Sequence, residues 1–79
     1  MITQKELSMA LVALGKRIRF LRLTKGITQT ALSIECDMEK ATVSRIESGL
    51  TNITFLTLLR IGKVLHVSIE ELLQLPPVV

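Results

Sequence analysis

The sequence predicts an all-α domain of five short helices. Apolar residues recur three and four positions apart, which is the period of a half-buried helix and not of a strand. Residues that start helices (Thr3, Thr28, Thr54 and Ser68) stand just ahead of these runs. The composition agrees: 48% of the 79 residues are hydrophobic, with no Trp, no Tyr and two Phe, so the core must be built from Leu, Ile and Val. A chain of this length forms a single domain close to the size at which folding alone becomes marginal, so support from a partner subunit is expected.

Thr3-Gln4-Lys5-Glu6 is a capping box, in which hydroxyl and carboxylate satisfy the free amides of a helix start. The stripe that follows, Leu7, Leu11, Leu14, Ile18 and Leu21, should end near Lys25-Gly26, where Gly takes the left-handed cap. Gly15 interrupts this helix at a cost of roughly 1 kcal/mol relative to Ala, and is read as the junction between an N-terminal extension and the core. A second helix runs from the Thr28 cap to about Cys36, burying Ala31, Leu32 and Cys36. After a short turn, a third begins near Glu39 or Lys40 and stops at Gly49. Thr54 caps a fourth helix through about Leu65, with Leu56, Leu59, Ile61, Val64 and Leu65 apolar. Ser68-Ile69-Glu70-Glu71 is a second capping box, opening a last helix that Pro76-Pro77 stops.

The net charge is +3, and half of the ten basic residues, Lys16, Arg17, Arg19, Arg22 and Lys25, fall together with no acid between them. Such asymmetry fits a polyanionic partner better than a uniformly basic surface would, although on charge alone a solvated helix face is the preferred reading. A lone cysteine, Cys36, excludes an intramolecular disulfide and a Cys-rich metal site. His66 has no ligating neighbours and reads as a helix cap or surface residue, so no metal and no cofactor are expected. The apolar run MALVALG is preceded by Lys5 and Glu6 and is too short for a membrane span, which places the protein in the cytoplasm. No nucleophile, base and oxyanion grouping can be assembled, so an enzyme is not expected.

The third helix, within ATVSRIESG, poses the functional question. At about 100° per residue, Val43 and Ile46 share one side with Glu47 at its margin, while Ala41, Ser44, Arg45 and Ser48 share the other, with Lys40 at the rim. Two residues anchor the helix and the rest are presented outward. The tight connection between the second and third helices has the spacing of a helix-turn-helix.

From about Leu14 to Leu73 the chain resembles the Xre/Cro family of DNA-binding domains, through IRFLRLTKGITQTAL, VSRIESG and VSIEELL. The resemblance implies a compact lambda-repressor-like fold for residues 14–73, the core of the single domain 1–79, in which residues 1–13 extend the first helix and 74–79 form a tail. It implies base contacts in the major groove from Lys40, Ala41, Ser44 and Arg45. An Arg can bond guanine O6 and N7 together, and Ala can pack on a thymine methyl, so physical reasoning reaches nearly the same set. Gln29 is similar to the family glutamine that touches a phosphate and braces the recognition helix. Arg22 and Glu47 match a structural ion pair. Thr51 and Asn52, with Arg17 or Arg19, are candidates for phosphate contacts; the two arginines alternatively keep their face soluble. Ser33, Asp37, Glu39, Ile53 and Gly62 depart from the family pattern, and Glu39 leaves the recognition helix without its usual Ser or Thr cap.

One recognition helix covers too few base pairs for a genomic site, so a homodimer on a palindrome is expected. Leu72, Leu73, Leu75 and Val78, with the adjacent part of the fourth helix, supply apolar surface for that interface, one of Leu72 and Leu73 being needed in the monomer core. Met9, Val12, Phe20 and Leu23 form a second apolar stripe on the first helix, interrupted by Lys16. The expected function is a small transcriptional regulator binding double-stranded DNA, of a restriction-modification controller or phage-repressor type. The alternative is an antitoxin whose chief partner is a toxin protein.

Overall fold

The computed structural model describes residues 1–76. Five helices follow one another: α1 (Gln4–Thr24), α2 (Gln29–Glu35), α3 (Lys40–Glu47), α4 (Phe55–Leu65) and α5 (Ile69–Leu72). There is no strand among the described residues. Leu14, Ile18 and Leu21 of α1, Leu32 and Cys36, Val43 and Ile46 of α3, Leu58, Ile61 and Leu65 of α4, and Leu72 meet in one aliphatic core.

Local chemistry sets the helix ends. Thr3 and Glu6 form the full reciprocal capping box, and hydrogen bonding to Thr3 holds the Glu6 carboxyl below its ordinary range. Thr28, Thr54 and Ser68 each accept a backbone N–H three residues on. Glu39 makes no such side-chain bond, so α3 starts without a side-chain cap. Left-handed residues follow the first four helices: Gly26, Asp37, Gly49 and His66. The Ser33 hydroxyl donates to the Thr30 carbonyl at 2.7 Å, which satisfies it where α2 is buried.

Several expectations are corrected. Ala31 is exposed, because α2 turns Leu32 and Ser33 inward instead. On α4, whose apolar residues the sequence did not divide into buried and exposed, the buried side is Leu58, Ile61, Gly62 and Leu65, leaving Leu56 at 56% and Leu59 at 46% exposure. Leu72 is fully buried and completes the monomer core, so it is not available to a partner. Helix α5 ends at Leu72, short of the prolines: Leu75 precedes Pro76 and is pushed from the helical region, and Arg17 takes the Glu71 carbonyl that a further turn would use. Val78 lies outside the described residues.

Gly15 has a different role from the junction expected of it. A Cβ there would lie 2.5 Å from the carbonyl oxygens of both Ile46 and Glu47, so α1 crosses the end of α3 backbone against backbone. At Gly49 a Cβ would lie 2.7 Å from the Val12 Cα. The segment assigned as an N-terminal extension is therefore seated on the end of α3.

Candidate nucleic-acid interface

Helix α3 is held on one side and bare on the other. Val43, Ile46 and Glu47 are buried, while Lys40, Ala41, Ser44 and Arg45 are exposed. Among the described residues no side-chain hydrogen bond or ion pair engages Lys40, Ser44 or Arg45. A row of unspent donors on one helix face is what base edges require, since every donor committed within the protein is lost to readout.

The inner side is fixed by a charged cluster. Arg22 Nε lies 2.6 Å from Glu47 Oε2 and its Nη2 donates to Oε1 at 3.0 Å, giving a two-pronged pair, while Nη1 donates to the Ile27 carbonyl at 2.8 Å. The hydrogen bond to Glu47 holds the Arg22 guanidinium above its ordinary pKa despite burial. Gln29, the first residue of α2, adds a third donor, its Nε2 reaching Glu47 Oε1 at 3.0 Å. One carboxylate on α3 thus gathers groups from α1 and α2, and no buried side-chain polar atom among the described residues lacks a partner. Sequence reasoning paired Arg22 with Glu47 but did not join Gln29 to the same carboxylate.

The remaining candidates separate. Arg19 and Asn52 are exposed, and Thr51 is half-buried, its hydroxyl 3.4 Å from the Asn52 carbonyl. Arg17 is engaged elsewhere: its Nε donates to the Glu71 carbonyl at 3.0 Å, its Nη2 to Gln74 Oε1 at 3.2 Å, and the guanidinium lies 5.8 Å from the Phe20 ring centre. It ties α1 to the end of α5, and the phosphate role considered for it is withdrawn. The sequence reading missed Gly15 and Gly49 as close-packing positions. A lone glycine within a helical stripe, and a second just after a helix that packs on it, are the signals that were available.

The Helix-turn-helix family, HTH_3, matches residues 18–72. The chain belongs to this family. Over 60 residues, the HTH_3 chain is 35% identical to the control protein C.BamHI of Bacillus amyloliquefaciens, covering 75% of this chain and 74% of that protein. Its fold matches the restriction-modification controller protein C.AhdI from Aeromonas hydrophila with a TM-score of 0.76 at 31% identity, over 78% of this chain and 94% of that one. It also matches the clp gene regulator ClgR from Corynebacterium glutamicum, with a TM-score of 0.79 at 25% identity, over 81% of this chain and 82% of that one. This HTH_3 protein is a DNA-binding transcriptional regulator and not an enzyme. Helices α2 and α3 are its helix-turn-helix pair. Among the described residues no helix is long and apolar enough to cross a membrane.

Proposed function

We propose that the protein is a controller of restriction-modification type, acting in the cytoplasm as a homodimer on a palindromic operator. The observation that carries this reading is the likeness to two controller proteins, one of them matched over 94% of its length. The antitoxin alternative is not favoured by these relatives, and no toxin partner is invoked. In this reading α3 lies in the major groove, with Arg45 bidentate to a guanine, Ala41 against a thymine methyl, and Lys40 and Ser44 completing the contact. Gln29, Arg19, Thr51 and Asn52 bond phosphates and set the register without reading sequence. Gln29 has one N–H committed to Glu47, which orients the rest of its amide.

Selection of bound sequences from a random duplex pool tests the reading, with the wild type and Arg45→Ala compared at near-physiological salt. The expected result is a palindrome with half-sites about one helical turn apart, relaxing in the variant at one symmetric position by roughly 1–3 kcal/mol of discrimination. Recovery of no preferred sequence, with binding that only follows salt, would overturn it.

The dimer face is assigned to Phe55, Leu56 and Leu59, which α4 leaves exposed, joined by Leu73; Leu75, half-buried against the core, lies at its margin. Leu59→Glu is expected to convert the dimer to a monomer in sedimentation at micromolar concentration, with the circular dichroism of the helices unchanged. A dimer that survives this change would move the interface elsewhere.

A further inference from the structure

A second apolar face lies on α1. Met9, Val12, Phe20 and Leu23 are between 39 and 59% exposed, and Leu50, which directly follows the Gly49 packed on Val12, is 75% exposed. Met9, Ala13, Lys16, Phe20 and Leu23 follow one another at intervals of four, three, four and three residues, the spacing of a helix-packing seam. A shallow groove lined by Met9, Val12, Ala13, Lys16 and Pro76 runs along the seam's N-terminal half. The core helices do not cover this face, and it lies on a different element from the dimer face assigned to α4.

The charge on the seam decides what fits it. Lys16 is exposed at its midpoint, with apolar residues one turn away on both sides, and Lys5 lies three turns earlier on the same side of the helix. Neither lysine has a carboxylate partner among the described residues, and the acid of α1, Glu6, is spent on the Thr3 amide. A second copy paired about a two-fold axis at the middle of the seam would bring Lys16 against Lys16, and like charges facing each other across an apolar contact exclude that register. A helix with apolar residues at the same spacing and a Glu or Asp opposite Lys16 would bury the strip and neutralise the ammonium together.

We propose that this face of α1 docks an acidic amphipathic helix of a different protein. The face lies on α1, apart from the outward side of α3, and the inference stands whether or not the controller reading holds.

The test uses the full isotope-labelled chain and two synthetic 21-residue helical peptides, both with Leu at the seam spacing, one with Glu and one with Lys at the central flanking positions. The Glu peptide is expected to shift the amide resonances of Met9, Val12, Lys16 and Phe20 and to bind about tenfold more tightly than the Lys peptide. Lys16→Glu is expected to reverse that preference, and because Lys16 is exposed the fold is unaffected. Equal binding of both peptides, shifts confined to α4, loss of self-association in Phe20→Glu, or tighter binding to anionic phospholipid vesicles than to the Glu peptide would each overturn the proposal.

Discussion

Glu47→Ala is expected to cost about 3–5 kcal/mol of folding stability, a large share of what a domain of this size possesses. The loss is not chiefly that of a contact. With the carboxylate gone, the Arg22 guanidinium keeps its bond to the Ile27 carbonyl, but two of its other N–H groups face the buried side of α3 with no acceptor. Gln29 loses the acceptor for its amide in the same substitution. The pair is 7% and 3% exposed at its two side chains, so water cannot substitute without opening the packing. Removing both charges is expected to be far milder: Arg22→Met combined with Glu47→Leu should recover most of the stability lost in either single change, since a buried pair contributes little net energy compared with well-packed apolar residues. Urea denaturation of the wild type, Glu47→Ala, Arg22→Met, Glu47→Leu and the double variant at one fixed concentration measures this, fixed because any self-association adds to apparent stability. A double variant no more stable than Glu47→Ala would show that the pair is needed for its geometry and not for mutual neutralisation.

Gly15→Ala is expected to destabilise the protein, although the same change at an uncrowded helix position would stabilise it by about 1 kcal/mol. The sign turns on what surrounds the missing Cβ. Its neighbours at 2.5 Å are two carbonyl oxygens of the α3 backbone, which have no alternative rotamer to adopt. Helix α1 must withdraw, and that loosens Val12 from Gly49 and strains the reach of Arg22 to Glu47 along the same contact. Overpacking of this kind costs about 1–3 kcal/mol beyond the gain in helix propensity, and thermal unfolding should shift down by roughly 10 °C. An unchanged or raised midpoint would mean that α1 and α3 tolerate a wider separation.

The sequence disclosed helix starts better than it disclosed which helix faces pack. Thr3, Thr28, Thr54 and Ser68 announce themselves because a cap is a local bargain between one side chain and the amides next to it. The stripe of α3 was legible for the same reason: so few apolar residues leave one possible inner side. On α4, apolar residues lie almost all round, and periodicity alone does not tell that Leu58 goes in while Leu56 and Leu59 stay out. Leu72 and Leu73 posed the same ambiguity one residue apart. Arg17 was illegible because its partners, Glu71 and Gln74, arrive from the far end of the chain. Gly15 was misread because only the path of a distant backbone gives an absent side chain its meaning.

The division of labour on α3 bears on how such a protein changes over time. Two apolar residues, Val43 and Ile46, and the Glu47 carboxylate network set where the helix lies, whereas no side-chain hydrogen bond or ion pair among the described residues engages Lys40, Ser44 or Arg45. Mutations at those outward positions can drift almost without penalty to folding. If those side chains read bases as proposed, a duplicated copy can explore new operators by single steps while its scaffold stays intact, and two such systems sharing one cell can diverge to orthogonality before either loses a stable regulator.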